Sequence, residues 1–314
     1  MAEARDLAIR PLGLGEVVDR SVALTRRHFR SLFLAMLVLE APALALARVE
    51  SYRMNELLAA VGDPMRAYEM LPPLAVAFAG LLAAFLLLQL LATAVAAAIV
   101  APSLDPRPAP RPSLARRAGA VAAACTLDAL VLAAAPAAAL VPGLLLLTRA
   151  RSPAGLVAGA LAAVVLPLAA FVVAVVRLVL APPASAIELR GPSALVRSSR
   201  LMAPARGASF RERPGVRASL VLLATFLLVL AVNALAGVPR ALAGRLASAP
   251  GPLGLPLGPL PLPVELGLSL FEAVAGAALQ PFSLVAVAVL YFDRRARVEG
   301  LDLEIWAGRL GTRA

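Results

Sequence analysis

Residues 154–181 read AGLVAGALAAVVLPLAAFVVAVVRLVLA, an apolar run that contains a single charged residue, Arg177. The hydrocarbon core of a bilayer is about 30 Å thick, so a helix that crosses it needs about 20 mostly apolar residues. This run exceeds that length and predicts a membrane-spanning helix. Gly155, Gly159 and Ala163 recur at every fourth position, a pattern typical of close contact between neighbouring membrane helices.

Five further apolar runs meet or approach the same length. They cover residues 30–49, 74–101, 118–147, 217–238 and 264–292. Hydrophobic residues make up 61% of the 314 residues, more than the roughly half that is usual in soluble domains. The predicted fold class is therefore an all-α polytopic membrane helix bundle. Residues 1–314 are expected to form one integral membrane domain with six transmembrane helices.

Two shorter segments, 10–29 and 192–202, are predicted as amphipathic interfacial helices. Helical spacing places one apolar stripe on each of them. In the first segment the stripe comprises Leu14, Val17, Val18, Ser21 and Val22, and in the second Leu195, Ser199 and Met202. The first segment can equally be a cytoplasmic extension of the first span. The rest of 182–216 is expected to be an arginine-rich loop.

Prolines leave two helix ends open to interpretation. The fourth span either ends at Ala181, which puts Arg177 about one turn from the interface, or continues past Pro182 and Pro183. Residues 239–263 are rich in proline, glycine and leucine, a composition that breaks regular helix. We expect this segment to be a loop against the membrane surface.

The arginines predict the orientation. All 30 basic residues are arginine, which is typical of a GC-rich bacterial genome. Both termini and the connections 102–117 and 182–217 carry 22 of them, whereas the alternate connections carry 7. Because positive charge favours the cytoplasmic side, both termini, including the tail 293–314, are predicted to lie in the cytoplasm. Two termini on the same side require an even number of spans, which agrees with six. The predicted location is the bacterial inner membrane. The net charge of +11 is assigned to flanking of the spans and to lipid contact, and no nucleic-acid partner is expected.

Ionisable residues at membrane depth are costly, so each is a candidate for function. The candidate intramembrane polar residues are Glu40, Asp128, Arg177 and Glu272. Asp128 and Arg177 lie at similar depth if the fourth helix is long, and they then neutralise each other. The alternative is that they line a transport or relay pathway. Glu272 is expected on a solvated face.

Catalytic signatures are missing from the sequence. It contains no phosphate-binding loop, nucleotide fingerprint, nucleophile elbow or zinc-protease motif. Cys125 and His28 are the single cysteine and the single histidine, so we expect no metal site, no cofactor and no Cys–His or Ser–His pair. An enzyme is disfavoured, and a lipid-processing membrane enzyme is the remaining enzymatic alternative.

Three segments resemble a bacterial group. They are RPLGLGEVVDRSVALTRRHF at 10–29, APPASAIELRGPSALVRSSRLM at 181–202 and VLYFDRRARVEGLDLE at 289–304. They are similar to the membrane domain attached to some glycerophosphoryl diester phosphodiesterases, which also occurs alone as a six-span protein. The resemblance implies a six-helix bundle with characteristic cytoplasmic elements. It does not imply phosphodiesterase activity, because this chain lacks the histidines of the hydrolase domain.

These three segments fall on the predicted cytoplasmic face, where their charges are expected to form one organised cap. The candidate cap residues are Glu16, Asp19, Glu188, Arg197, Arg200, Asp293, Arg294, Arg295, Arg297, Glu299 and Asp302. The alternative is a set of separate solvated charges in contact with anionic lipid. The leading functional hypothesis is a scaffold or accessory subunit that organises lipids or a protein partner at this face. A transporter or permease-like protein, with Glu40, Asp128 and Arg177 around its pathway, is the alternative.

Overall fold

A computed structural model describes residues 11–39, 64–104, 114–203, 213–247 and 262–300, and the regular elements within these ranges are helices. In chain order the helices are α1 Leu14–Arg27, α2 Phe29–Leu39, α3 Pro64–Leu104, α4 Leu114–Arg149, α5 Pro153–Leu178, α6 Ala181–Glu188, α7 Ser193–Leu201, α8 Pro214–Ala247 and α9 Leu262–Glu299.

Five helical stretches in the described ranges are long and apolar enough to cross a membrane. They are Ala83–Leu104 within α3, Ala118–Arg149 within α4, Pro153–Glu188 across α5 and α6, Pro214–Ala243 within α8 and Leu266–Glu299 within α9. The prediction of an all-α polytopic membrane bundle is confirmed in this sense. The first predicted span begins in α2, but its residues from Glu40 onward lie outside the described ranges.

Helix α9 is the central element of the bundle. Its residues from Leu284 to Arg294 are buried without interruption. In contrast, α4, α5 and α8 expose most of their leucine and valine side chains, such as Leu161, Val164 and Leu227. Exposed apolar surface of this extent is a liability in water, whereas in a bilayer it faces lipid. The burial pattern therefore agrees with a membrane bundle built around α9.

Helices α4 and α5 form a closely packed antiparallel hairpin. A Cβ atom placed on Gly143 would lie 2.4 Å from the Cα atom of Ala163, and one placed on Gly159 would lie 2.9 Å from the backbone nitrogen of Leu147. Only glycine allows the two backbones to approach this closely. The small-residue stripe therefore serves helix packing, as predicted.

The segment after α5 differs from the expected loop. Helix α5 ends at Leu178, and a separate helix, α6, begins at Ala181 with proline in its first turn. Proline is well tolerated there because the first turn has no internal acceptor for its missing N–H. Residues 181–186 are all buried, and α6 contacts α3 and α4. Residues 181–188 are thus part of the bundle interior.

Helix α8 is also longer than predicted. It continues through Pro239 to Ala247, so the first part of the predicted loop 239–263 is helical. Proline is tolerated in membrane helices because neighbouring groups and local adjustments satisfy the freed backbone atoms. The remainder of that loop, residues 248–261, lies outside the described ranges.

The two amphipathic helices are present, and their buried faces match the predicted stripes in part. Helix α1 packs on α9 and buries Val17, Ser21 and Leu24, while Leu14 and Val22 are exposed. Helix α1 ends at Arg27, and α2 begins at Phe29 after the single turn residue His28. In α7 and at its C-terminal cap, Leu195 and Met202 of the predicted stripe are buried and Ser199 is half-buried, and Ala194, Ser198 and Leu201 are buried as well.

Candidate functional site

Asp293 is the centre of a buried polar cluster at one end of the bundle. Its side chain is 1% exposed. The Oδ1 atom accepts hydrogen bonds from the backbone nitrogen of Leu12, at 2.7 Å, and from Nε of Arg297, at 3.1 Å. Arg217, at the start of α8, places Nη2 3.4 Å from Oδ2. One carboxylate therefore joins the segment before α1, the start of α8 and the end of α9.

The carbonyl oxygen of Leu12 strengthens the same junction. It accepts hydrogen bonds from Nη2 of Arg217 and Nη2 of Arg297, each at 2.7 Å. Hydrogen bonds from charged donors are about twice as strong as neutral ones. The N–H of Leu12 thus binds the carboxylate of Asp293, and the C=O of Leu12 binds the two guanidinium groups.

Glu188, the last residue of α6, organises a second cluster. It accepts hydrogen bonds from the hydroxyl of Tyr291, from Nε of Arg190 and, at 3.0 Å, from Nη2 of Arg197. Arg295 approaches the same carboxylate, with 3.5 Å between Nε and Oε1. Glu188 therefore connects α6, α7 and α9 around one anionic group.

Glu299 extends this cluster along α9. It forms an ion pair with Arg197 and accepts a hydrogen bond from Nε of Arg295 at 3.1 Å. Burial alone would lower the pKa of Arg197, but hydrogen bonds to Glu299 and Glu188 and the charges of these carboxylates raise it overall. Arg197 therefore carries a full positive charge between two carboxylates.

Arg294 and Ser198 satisfy backbone groups at the ends of neighbouring helices. The guanidinium of Arg294 donates through Nε and Nη2 to the carbonyl oxygen of Leu201, at 3.0 and 2.7 Å. The hydroxyl of Ser198 donates to the carbonyl of Arg177 at 2.8 Å and accepts from the backbone nitrogen of Leu180 at 3.2 Å. These contacts fix α7 against the ends of α5 and α9.

We refer to these joined clusters as the polar cap. Its members are Leu12, Glu188, Arg197, Leu201, Arg217, Tyr291, Asp293, Arg294, Arg295, Arg297 and Glu299. Seven of the candidate cap residues from the sequence are thus brought together: Glu188, Arg197, Asp293, Arg294, Arg295, Arg297 and Glu299.

Three of the remaining candidates from the sequence are not members, and the fourth lies outside the described residues. The carboxylate of Glu16 accepts a hydrogen bond from the backbone nitrogen of Gly13 at 2.7 Å and so caps α1. Asp19 and Arg200 are exposed, and Asp302 lies outside the described residues. Sequence reasoning missed the roles of Arg217 and Tyr291. The sequence does contain one indication of these roles: Arg217 lies near the start of a span, Tyr291 lies near the end of one, and both have charged residues close by.

The predicted pairing of Asp128 with Arg177 is not formed. Asp128 is 1% exposed, and neither of its carboxylate oxygens has a hydrogen-bond partner among the described residues. Arg177 is exposed, one residue before the end of α5. Helix α5 ends three residues before the shorter alternative, and helix resumes in α6 past Pro182 and Pro183 to Glu188. A long arginine side chain at such a helix end can reach the interface.

Asp128 lines a cavity of about 270 Å³ between the helices, which is partly open to the outside of the bundle where the exposed Phe226 contributes to its wall. Helices α3, α4, α5, α6, α8 and α9 all contribute to the wall. The other polar residues in this wall are Thr93, Thr225 and Ser283, and the remaining lining residues are apolar. The cavity therefore presents one buried carboxylate and three hydroxyl groups to an otherwise apolar space.

The other intramembrane polar residues form pairs or lie elsewhere. Glu272 accepts a hydrogen bond from Nε of Arg240 at 2.7 Å, so it is paired with the unexpected extension of α8. Gln280 in α9 donates to Oε1 of Gln89 in α3 at 2.7 Å, the kind of amide hydrogen bond that joins helices in membrane bundles. Glu40 lies outside the described residues.

Groups that hold metals or cofactors are sparse in the part of the chain that the structure describes. No group of three or more His, Cys, Asp or Glu side chains there is placed to hold a metal ion. Cys125 is buried and free. His28 shares a hydrogen bond of 2.8 Å between Nε2 and the hydroxyl of Ser103, which joins the α1–α2 turn to the end of α3.

Comparison with known proteins gives no relative. No protein-family model, no curated protein and no solved structure matches the chain. The resemblance to the membrane domain of glycerophosphoryl diester phosphodiesterases therefore stays a prediction from the three segments that carry it.

Proposed function

We propose that this chain is a non-enzymatic membrane scaffold or accessory subunit, whose polar cap presents a rigid surface to anionic lipids or to a protein partner. The observation that carries the proposal is the polar cap itself. It joins the segment before α1, α6, α7 and the facing ends of α8 and α9 through buried charged hydrogen bonds. Groups bonded in this way are held in one arrangement before any partner binds.

Exposed arginines surround the polar cap and supply the contact surface. Arg26, Arg27, Arg30 and Arg200 are exposed and have no ion pair with a described residue. They belong to the same end of the bundle, because the α1–α2 turn bonds to Ser103 near the end of α3 and α7 bonds to the ends of α5 and α9. Each arginine near an anionic surface contributes about 1 kcal/mol of attraction.

The orientation completes the proposal. We place the polar cap in the cytoplasm of a bacterium, at its inner membrane, because arginine-rich connections favour the cytoplasmic side. Compartment reporters inserted near residues 60 and 200 test this placement. The two reporters are expected in opposite compartments, and finding both in one compartment would reject the topology.

Copurification tests the scaffold role. The full chain is purified in mild detergent, and bound lipids and proteins are identified by mass spectrometry. The variant Arg26→Gln/Arg27→Gln/Arg200→Gln removes exposed charge and leaves the polar cap intact. We expect it to lose the bound anionic lipid or partner. The matched control Arg149→Gln/Arg151→Gln neutralises exposed arginines at the opposite end. Equal retention by both variants contradicts the proposal.

A transporter is the second candidate, and one specific observation favours it. Asp128 has no hydrogen-bond partner among the described residues and lies beside a partly open cavity between the helices, and ionisable groups at membrane depth commonly mark transport pathways. Proteoliposomes that contain the chain and a pH-sensitive dye would report proton-coupled flux. A transporter requires that Asp128→Asn abolish flux while the protein remains folded.

A further inference from the structure

The hydroxyl groups that line the cavity beside Asp128 already donate their hydrogen atoms to backbone carbonyl groups. Thr93 donates to the carbonyl of Gln89 at 2.8 Å, and Ser283 donates to the carbonyl of Gln280 at 2.8 Å. Thr225 donates to the carbonyl of Val221 at 2.9 Å. Each hydroxyl oxygen therefore retains only lone pairs for the cavity. The polar side chains in the wall are acceptors.

Asp128 is a stronger hydrogen-bond acceptor in the same wall. Its two oxygens have no hydrogen-bond partner among the described residues, and its side chain is 1% exposed. A carboxyl group in apolar surroundings either takes up a proton and becomes neutral or is stabilised as an anion by a positive group or several donors. No guanidinium bonds to Asp128 among the described residues, and Arg177 is exposed. An ionised Asp128 therefore calls for a donor that enters the cavity.

The size and lining of the cavity identify the class of ligand. A calcium ion takes about six to eight oxygen ligands, and a magnesium ion takes about six in an octahedral arrangement. Most of this wall is apolar, so it does not supply the ligands that either ion needs. An anion is disfavoured because every polar side chain in the wall is an acceptor. A cavity of about 150 Å³ holds one benzene molecule, and this cavity is about 270 Å³. It has room for a ring and a short aliphatic arm.

We propose that the cavity is a binding site for a small amphiphilic organic cation, a primary ammonium compound with an apolar body. The ammonium group donates to the carboxylate of Asp128 and to the hydroxyl oxygens of Thr93, Thr225 and Ser283, while the body contacts apolar residues such as Leu132 and Phe226. Such binding requires no transport and is independent of the scaffold role.

Calorimetric titration of the detergent-purified full chain tests the proposal. The probe is 2-phenylethylammonium, and its neutral and anionic counterparts are 2-phenylethanol and 3-phenylpropanoate. Titration of empty micelles corrects for partition into detergent. We expect saturable binding of the cation, at least tenfold weaker binding of the alcohol and no binding of the carboxylate. Equal binding of cation and alcohol, or no saturable binding of the cation, overturns the proposal.

Two variants assign the binding to Asp128. Asp128→Asn preserves the shape of the side chain and is expected to weaken cation binding at least tenfold. The matched control Glu272→Gln neutralises a carboxylate that is paired with Arg240 outside the cavity, and it should bind the cation as the wild type does. Undiminished binding by Asp128→Asn, or equal loss in both variants, overturns the proposal.

If Asp128→Asn does not fold, as judged by circular dichroism and gel filtration, Thr225→Val provides the test. It removes one acceptor from the wall without changing its shape, and about threefold weaker binding is expected. Unchanged affinity in that variant overturns the proposal, as does thermal stabilisation of the wild type by sodium ions in place of the ammonium compound.

Discussion

Arg217 and Asp293 form a buried ion pair between the start of α8 and the end of α9, with 3.4 Å between Nη2 and Oδ2. Neither group is isolated, since Arg217 also donates to the carbonyl of Leu12 and Asp293 accepts from the nitrogen of Leu12. The pair is therefore the inner layer of a junction between three parts of the chain that are far apart in sequence. Buried ion pairs of this kind cost most when one member is removed, because the other stays buried and charged.

Asp293→Asn should for this reason destabilise the protein strongly. We expect a loss of about 3–5 kcal/mol in the free energy of unfolding, since Arg217 is left buried beside a neutral amide. The measurement is denaturation of the purified protein in mild detergent. Asp19→Asn is the matched control, because Asp19 is exposed, and it should change stability by less than about 0.5 kcal/mol. Similar values for the two variants would show that the junction contributes little.

Gly143→Ala should separate α4 from α5. The new methyl group would lie 2.4 Å from backbone atoms of Ala163, and overpacking of this kind costs about 1–3 kcal/mol. Gly119 lies in the same helix, with no atom within 4 Å of a Cβ placed there. Gly119→Ala should therefore be neutral or stabilising by up to about 1 kcal/mol. Thermal midpoints of the two variants provide the comparison, and a midpoint of Gly143→Ala at or above that of the wild type contradicts the close approach.

Asp128→Leu should stabilise the ligand-free protein. The substitution removes an unpartnered buried carboxylate and places an apolar side chain toward a cavity that has space for it. We expect a gain of about 1–3 kcal/mol from the lost desolvation cost. Thr126→Leu, on the exposed side of α4, is the control and should have little effect. A large loss of stability in Asp128→Leu would mean that this carboxylate serves the packing of the bundle.

His28 should make stability depend on pH. Its pKa is lowered from the ordinary value by burial and by the charge of Arg27, so the folded state binds a proton less readily than the unfolded chain. The contribution of neutral His28 is therefore present above its unfolded pKa and is lost as pH falls through its folded pKa.

The corresponding measurement compares thermal midpoints of the wild type and His28→Gln between pH 7.5 and pH 5. The wild type should lose more stability on acidification than the variant does. Subtraction of the two curves cancels the other titrating groups. Parallel curves would show that the hydrogen bond to Ser103 does not depend on the protonation state of His28.

Hydropathy predicted the positions of the described membrane helices well, since apolar length alone determines whether a segment can cross a bilayer. Proline was the source of the errors. The composition around Pro239 predicts a helix end, but α8 continues through it, and Pro182 and Pro183, which leave the end of the fourth span open in the sequence, begin a buried helix. Helix α6 packs against α3 and α4, and α8 packs against α9, and such packing is not visible in local composition.

The polar cap was predictable as a set of charges but not as a set of bonds. Charge counting identifies Asp293 and Arg297, whereas the acceptors of Arg294 and Arg217 include the carbonyl groups of Leu201 and Leu12. Every residue has such a carbonyl, so the sequence does not distinguish these two. The predicted pairing of Asp128 with Arg177 was wrong for another reason. Depth in the membrane follows from residue counting, but rotation of α5 about its axis places Arg177 on the outer surface.

The hydrogen bond between Leu12 and Asp293 joins residues that are 281 positions apart. During synthesis on the ribosome, the early segment must therefore wait until nearly all of the described chain has been made before its peptide groups find their partners. Assembly ends, in this view, with a closing step in which the last helix captures the first segment. A nascent chain that stops before residue 293 lacks this closure, because the peptide N–H of Leu12 has no carboxylate to bind.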